Sequence, residues 1–167
     1  MRMTMFERLG LPGRFSVDPA AVEREYLARS RAVHPDFHSL ATPDQQAASL
    51  EETAALNEAY LTLKDPFRRA EYLLRLLGGP TAQQEKNLDQ AFLMEMMDFR
   101  ERIEEAGDDR TRAELEGELT DRLARIVTEL GECFAAESPN LLAVRKRLNA
   151  AKTLQSLLRE LRAERVM

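Results

Sequence analysis

Apolar residues recur at steps of three and four along most of the 167-residue chain, and glycine or proline interrupts the pattern in only a few places. This spacing is typical of amphipathic α-helices, because side chains three and four positions apart lie on one face. Residues 5–11 predict a short apolar helical turn that ends at Pro12. Asp18 and Pro19 suit the N-cap and the first position of a helix, so we expect the next helix to run from about residue 19 to Val33.

The helix predicted over residues 19–33 has an apolar side and a basic side. Its core-facing side chains are predicted to be Val22, Tyr26, Leu27 and Val33. Its arginines, which lie largely elsewhere on the cylinder, are Arg24, Arg29 and Arg31. One side of this helix should therefore be exposed and locally basic.

A second long helix should follow after a break. Pro35 ends the first helix, because proline lacks the amide proton of the ladder and disfavours helical backbone at the preceding residue, and residues 34–41 then form a loop. Residues 42–45 read Thr-Pro-Asp-Gln, a capping box with proline at the first helical position, and predict a helix to about Lys64. Its stripe comprises Ala48, Leu56, Ala59, Tyr60 and Leu63. The short loop favours antiparallel packing of the two helices.

A third helix and a change of composition end the N-terminal half. Asp65 and Pro66 start this helix, and residues 78–80, Gly-Gly-Pro, stop it. Its inner face comprises Ala70, Leu73, Leu74 and Leu77. We therefore predict a compact helical domain over residues 1–77. Residues 78–87 are polar and contain two glycines and a proline, so we predict a linker there.

Three longer helices are predicted in the remainder, over residues 88–106, 109–136 and 139–164, with Ser138 and Pro139 at the start of the last. The stripe of the second comprises Leu115, Leu119, Leu123, Ile126, Leu130 and Phe134. The stripe of the third comprises Leu141, Val144, Leu148, Ala151, Leu154, Leu158 and Leu161. An up-down-up three-helix bundle over the C-terminal half is the simplest way to bury three such faces. The fold class predicted for the whole chain is all-α.

Composition and charge exclude several classes of function. With 44% hydrophobic and 32% charged residues, the chain has the balance of a globular protein. Its net charge of -5 supplies no basic field for nucleic acid, and no apolar run is long enough to span a membrane or to form a signal peptide. Cys133, the single cysteine, excludes an intrachain disulfide and is expected to be a small buried core residue. We therefore expect a cytoplasmic protein.

The tripeptide His34, Pro35 and Asp36 lies at the apex of the predicted helical hairpin. Because proline fixes its own φ and restricts the residue before it, this tip has little conformational entropy left to lose on binding. His38 follows four residues after His34, but the proline prevents regular helix between them, so the two imidazoles do not form a helical zinc pair. No nucleophile, paired acid and base, or phosphate-binding loop is recognisable. We therefore predict a recognition site with no metal, no cofactor and no catalytic residue.

A His-Pro-Asp tripeptide between a basic helix and a second long helix resembles the J-domain family of co-chaperones. The resemblance implies that His34, Pro35 and Asp36 engage the ATPase domain of a DnaK-family chaperone. It also implies that the arginines of the preceding helix add charge against an acidic surface, and these are Arg24, Arg29 and Arg31. Charges at the rim of an interface mainly set the association rate and the orientation. The ATPase activity then belongs to the partner, and the protein itself is not an enzyme.

The rest of the chain resembles the HscB type of J-protein. The resemblance is carried by residues 69–74, Arg-Ala-Glu-Tyr-Leu-Leu, and by residues 92–95, Phe-Leu-Met-Glu. In that family the second motif begins a helical bundle that binds the iron–sulfur scaffold protein IscU. The chain departs from the family on the last helix, where small residues around 149–151 replace an aromatic residue that extends the binding face.

The helix that starts this bundle has more apolar residues than one core stripe needs. Phe92, Met96 and Phe99 fall on one side at helical spacing, with Leu93 and Met97 about 100° away. One stripe can face the bundle and the other can be exposed, where methionine suits a surface that must fit a partner. The resemblance implies a scaffold-binding face made of Leu93, Met94, Met97, Asp98, Arg100 and Glu101.

Together these resemblances imply an adaptor that activates an HscA-type chaperone and delivers an IscU-like scaffold protein to it for iron–sulfur cluster assembly. Neither nucleic acid nor a membrane is expected as a partner. One alternative is a J-protein of the general DnaK system with another client protein. A second is a purely structural helical protein in which the tripeptide is incidental.

Overall fold

The computed structural model describes residues 2–34, 36 and 42–164. Within these ranges the chain is all-α, as predicted, and contains no strand. Its helices are α1 (Met5–Arg8), α2 (Pro19–Val33), α3 (Pro43–Leu63), α4 (Pro66–Leu76), α5 (Gln90–Glu105), α6 (Asp109–Ala135) and α7 (Leu141–Glu164). None of these helices is long and apolar enough to cross a membrane. Most of the predicted 34–41 loop lies outside the described residues.

The chain divides into two compact units, Met1–Leu73 and Leu74–Met167. The division falls within α4, which therefore contributes residues to both. The first unit contains α1, α2, α3 and most of α4, and the second contains α5, α6 and α7. Each unit has its own set of buried apolar side chains.

Side-chain caps fix the starts of the helices in the first unit, as predicted. Asp18 accepts a hydrogen bond from the N–H of Ala20 at 3.0 Å. Thr42 and Gln45 form the capping box, in which each side chain accepts from the other's backbone N–H, at 3.0 and 3.3 Å. Asp65 Oδ1 accepts from two N–H groups in the first turn of α4, both at 2.9 Å. These caps satisfy donors that a helix start leaves without a partner.

Helices α2 and α3 form an antiparallel hairpin. At one end the hydroxyl of Ser49 donates to the carbonyl of Val33. Toward the other end the rings of Tyr26 and Tyr60 stack with centroids 4.1 Å apart, and the Tyr60 hydroxyl donates to Glu23 at 3.2 Å. The end of α2 thus lies beside the start of α3.

Helix α2 buries a narrower face than the sequence predicts. At about 100° per residue, Leu27 lies about 140° round the helix from Val22, and it is 44% exposed. The prediction that Leu27 faces the core is therefore wrong. Arg29 lies within about 20° of Val22, so its predicted place on the side of the helix away from Val22 is wrong, although its side chain remains 42% exposed. Tyr26 and Val33 are half-buried on the inner side.

Helix α3 buries Leu56, Ala59 and Leu63, which confirms most of its predicted stripe. Ala48 is exposed, and the prediction for it is wrong. It lies in the second turn of the helix, about 80° away from Leu56, so the buried stripe does not reach it.

A glycine just after the last residue of α4 terminates the helix, as predicted. Gly78 has φ +76°, the left-handed conformation that glycine adopts at low cost. The N–H of Gly79 bonds to the carbonyl of Leu74 at 2.9 Å and closes the last turn. Leu77 is 47% exposed, and its predicted place in the core is wrong because the helix ends at Leu76 and the stripe does not continue through the cap.

The second unit is the predicted up-down-up bundle, and its ion pairs show the direction of each helix. Across α5 and α6, Arg102 pairs with Glu118 (2.6 Å) and Arg122 with Glu95 (2.9 Å). Across α6 and α7, Arg162 pairs with Glu116 (2.7 Å) and Arg147 with Glu129 (3.0 Å). Across α5 and α7, Lys146 pairs with Asp89 (3.5 Å) and Arg100 with Glu160 (3.8 Å). Residue numbers run in opposite senses across the first two helix pairs and in the same sense across the third. Helix α6 is therefore antiparallel to both of its neighbours.

Helix α7 has the largest set of buried residues because it packs against both α5 and α6. Its predicted stripe is buried except for Leu141, which is half-buried, and Leu157 is buried in addition. The helix begins at residue 141 rather than 139, because Asn140 Oδ1 accepts from the N–H of Ala143 at 3.0 Å. The predicted cap at Ser138 is therefore wrong.

The predicted stripe of α6 is confirmed, with four buried positions and two half-buried ones. Leu115, Leu119, Ile126 and Leu130 are buried. Leu123 and Phe134 are half-buried. Cys133 is also half-buried, so the expectation of a fully buried core thiol is wrong. It lies one residue from the stripe, about 100° round from Phe134.

Candidate protein-binding sites

The tip of the helical hairpin exposes an imidazole and a carboxylate side by side. His34 is the C-cap of α2, with extended backbone (φ -61°, ψ 132°), as a residue before proline should be. Its side chain is 47% exposed and that of Asp36 is 86% exposed. The His34 Nδ1 atom lies 3.4 Å from Asp36 Oδ2. Pro35 and His38 lie outside the described residues.

The tip is also organised by its own backbone. The N–H of Asp36 donates to His34 Nδ1 at 3.2 Å. In this arrangement a neutral imidazole carries its proton on Nε2, because Nδ1 acts as the acceptor. The His34 imidazole is thus oriented by a backbone group of the tripeptide itself, which reduces the entropy that this side chain loses when a partner binds.

Two of the three predicted arginines lie on the outer side of α2. Arg24 and Arg31 are exposed, about 160° and 180° round the helix from Val22. They are two turns apart on one side, and His34 follows three residues after Arg31. The structure therefore places these two cations in line with the tip.

Arg29 has a different role from the other two arginines. Its guanidinium covers Gly10, where an added Cβ would lie 2.1 Å from the nearer guanidinium nitrogen. Gly10 has φ +64°, so this position favours glycine for its backbone as well as for its space. Arg29 also pairs with Glu25 at 3.4 Å. It joins α2 to the segment after α1, and it is not part of the outer basic side.

Helix α5 divides its apolar residues between two faces, as the spacing predicts. Phe92, Met96, Phe99 and Ile103 are buried and face the bundle. The other face is exposed over Leu93 (45%), Met94 (66%) and Met97 (70%). We call these three residues the α5 apolar patch. No side chain within the described part of the second unit covers them, so this face is open to a partner.

Charged residues surround the α5 apolar patch. Asp98 and Glu101 are exposed beside it, and Asp98 lies 3.7 Å from Arg102. Arg102 is held in turn by Glu118, and this hydrogen bond raises the pKa of the guanidinium and lowers the pKa of the Glu118 carboxyl. Arg100 is exposed and directed toward α7, where it pairs with Glu160. All six residues predicted for the scaffold face are thus on one exposed side of α5.

The small residues on α7 do not extend this exposed face. Ala150 and Ala151 are buried. The side chain of Asn149 donates from Nδ2 to the carbonyl of Glu85 at 3.0 Å, which ties α7 to the segment before α5. Ala150 also lines a cleft of about 100 Å³ with Phe92 and the charged residues Asp89, Arg122, Glu129, Lys146 and Arg147. This cleft depends on the packing of three helices, so the sequence pattern does not predict it.

The described residues contain no group of three or more histidine, cysteine or acidic side chains placed to hold a metal ion. Two exposed surfaces stand out among the described residues. One is an exposed polar tip with two aligned arginines. The other is an apolar patch with a charged rim.

Known families and relatives resemble this chain over most of its length. Residues 88–162 match the family described as the HSCB C-terminal oligomerisation domain. The co-chaperone protein HscB homolog of Bordetella petrii is 43% identical over 119 residues, which cover 70% of this chain and 69% of the relative. The HscB homolog of Shewanella sp. (strain MR-4) is 37% identical over 136 residues, which cover 81% of this chain and 78% of the relative.

Solved structures show the same likeness. The chaperone HscB from Vibrio cholerae matches 99% of this chain and 100% of its own, with a TM-score of 0.84 and 29% identity. The human co-chaperone protein HscB matches 98% of this chain and 83% of its own, with a TM-score of 0.87. At 24% identity the human structure is informative about the fold alone.

Proposed function

The chain belongs to the HscB family of co-chaperones, and on that premise we propose that it stimulates the ATPase of an HscA- or DnaK-type chaperone and delivers an IscU-like iron–sulfur scaffold protein to it. Residues 1–77 act as the J-domain, 78–87 as the linker and 88–167 as the scaffold-binding bundle. The protein works in the cytoplasm as an adaptor, without a cofactor, and the hydrolysis of ATP is carried out by the chaperone.

The observation that carries this proposal is the exposed pair at the hairpin tip. The His34 imidazole and the Asp36 carboxylate lie 3.4 Å apart, and neither is buried against its own unit. An exposed imidazole oriented by a backbone hydrogen bond, with a carboxylate beside it, can meet polar groups of a partner with a small loss of entropy. In this proposal His34, Pro35 and Asp36 contact the ATPase domain of the chaperone.

In this proposal the exposed arginines of α2 orient the chaperone as it approaches the tip. Arg24 and Arg31 are aligned with the tip and face outward. An acidic chaperone surface would be attracted to them before the tip engages, and such rim charges raise the association rate more than the affinity. Arg29 is left out of this surface because it packs on Gly10.

The scaffold binds the exposed side of α5 in this proposal. The α5 apolar patch supplies the area that binding removes from water, and its two methionines adapt their flexible thioether chains to the partner. Asp98 and Glu101 favour a scaffold surface with basic residues opposite them, and Arg100 lies at the edge toward α7. Ala150 and Ala151 are buried and contribute no contact area.

Two binding surfaces on one chain explain how an adaptor without chemistry of its own increases the rate of delivery. Once the scaffold is bound to the bundle, its concentration near a docked chaperone is set by the geometry of the chain and not by its concentration in solution. Simultaneous binding of both partners therefore favours transfer of the scaffold to the chaperone.

A steady-state phosphate-release assay tests the first half of the proposal. His34→Gln removes the imidazole at an exposed position, so helicity and scaffold affinity should be unchanged while stimulation of the chaperone falls to the basal rate. Glu58→Gln, at an exposed position in the half of α3 away from the tip, is the matched control and should stimulate like the unaltered protein.

Retained stimulation by the His34→Gln variant would show that the tip does not activate the chaperone. Stimulation of a general DnaK chaperone together with no affinity for any IscU-like scaffold would favour the alternative of another client. An unaltered protein that stimulates no chaperone of this class would leave only the structural alternative.

A further inference from the structure

Leu27 is exposed on a helix whose inner face is otherwise well filled. It is 44% exposed, although an apolar residue in the middle of a helix that packs on another is usually placed against the core. Its position about 140° from Val22 puts it on the outer side of α2. There it lies between Arg24 and Arg31, three residues after one and four residues before the other, so the three side chains form one continuous stripe.

The surroundings of Leu27 make it the only large apolar group on this side of α2. A shallow groove runs along the helix and is lined by Pro19, Ala20, Glu23, Arg24, Leu27, Ala28 and Arg31. Ala20 and Ala28 are small, so the leucine side chain stands above them. The groove is apolar along its length and cationic on both sides of Leu27.

The charges that face this groove are two arginines and one carboxylate. Glu23 accepts a hydrogen bond from Tyr60 at 3.2 Å, which draws its carboxylate toward α3. Arg24 and Arg31 are exposed and lie seven residues apart, about 10 Å along the helix axis. The stripe therefore presents one apolar group between two positive charges.

We propose that Leu27 is the apolar anchor of the chaperone-docking surface, flanked by Arg24 and Arg31. This inference rests on the proposed function and names the chemistry of the surface that docks there. The complementary surface on the DnaK-type chaperone has an apolar depression between two carboxylates spaced about 10 Å apart. The arginines set orientation, and burial of the leucine side chain slows dissociation.

Binding of the chaperone to three single variants at low and high salt tests this inference. Leu27→Gln should lower the affinity about tenfold at both salt concentrations, because loss of apolar burial is insensitive to screening. Arg24→Gln should lower the affinity at low salt and have a smaller effect at high salt. Leu61→Gln, near the end of α3 away from the tip, where the leucine is 45% exposed, is the matched control and should bind like the unaltered protein.

Thermal melting of the same variants separates a surface role from a structural one. Leu27→Gln should melt at the temperature of the unaltered protein, because its side chain supports no core. A lower melting temperature for Leu27→Gln, an unchanged affinity, or an equal loss from Leu61→Gln would each overturn the inference. These outcomes presuppose that the unaltered protein stimulates the chaperone, and failure of that stimulation would instead contradict the proposed function itself.

Discussion

The guanidinium of Arg69 lies 4.8 Å over the ring of Phe15, and its Nε donates a hydrogen bond to the Phe15 carbonyl at 2.7 Å. A second nitrogen of Arg69 donates to the carbonyl of Leu63, also at 2.7 Å. The arginine is buried, and this burial lowers the pKa of its guanidinium. One charged side chain on α4 thus joins the end of α3 to the segment between α1 and α2.

Replacing Arg69 with alanine should destabilise the first unit by about 2–4 kcal/mol, because two buried carbonyl oxygens lose their donors and the Phe15 ring loses its cover. Urea denaturation followed by circular dichroism measures the loss. Arg68→Ala, at the exposed neighbouring position, should change stability by no more than about 0.5 kcal/mol. Equal effects of the two changes would show that the Arg69 contacts do not stabilise the fold.

Tyr60 should ionise at a higher pH than an ordinary tyrosine. Burial, the hydrogen bond to Glu23 and the charge of that carboxylate raise the pKa of its hydroxyl, and nearby Tyr26 adds to the effect. Because the pKa of Tyr60 is higher in the folded state than in the unfolded state, the protonated hydroxyl stabilises the fold. This contribution is complete below about pH 10, the ordinary tyrosine pKa, and is lost as the pH rises through the folded value.

Ultraviolet titration of tyrosinate tests the expectation for Tyr60. The chain has three tyrosines, and one of them should titrate later than the others. Tyr60→Phe should remove this late component, and Glu23→Gln should move it toward the ordinary pKa. A single transition for all three tyrosines in the unaltered protein would contradict the stacked and hydrogen-bonded arrangement of the hairpin.

Adjacent methionines on α5 should respond to alanine substitution in opposite ways. Met96 is 4% exposed, so Met96→Ala should lower stability by about 2–5 kcal/mol. Met97 is 70% exposed, so Met97→Ala should leave stability within about 0.5 kcal/mol and weaken scaffold binding instead. Urea denaturation measures the first effect and calorimetry of scaffold binding the second.

The joint change of Leu93, Met94 and Met97 to alanine extends the same test to the whole patch. The scaffold affinity should fall about tenfold or more while helicity is retained, since three exposed apolar side chains lose most of their contact area. A folded triple variant with full affinity would show that the scaffold binds elsewhere on the chain.

The helix boundaries of the first unit could be predicted from the sequence because their signals are local. A cap such as Asp18 or Thr42 bonds to an N–H group two or three residues away, so the pattern and the structure coincide. The predicted start of α7 at Ser138 is wrong because two residues close in the sequence, Ser138 and Asn140, each offer a capping side chain. Only the structure shows that Asn140 makes the bond.

The burial of particular side chains could not be predicted in the same way, because it depends on distant segments. Leu27 lies on the outer side of α2 although it is apolar, whereas the charged Arg29 lies on the inner side, where its guanidinium is next to Gly10. The exposed patch on α5 was predicted as a second apolar face, and its exposure is confirmed. Its role in scaffold binding stays a prediction, as does the role of the tip.

The claim that one chain couples two partners is tested most directly by phosphate release from the chaperone in the presence of this protein, an IscU-like scaffold, or both. The rate with both should exceed the sum of the two separate increases, and the His34→Gln variant and the triple α5 variant should each abolish that excess. A rate with both partners that equals the sum of the separate increases would contradict the coupling of the two surfaces.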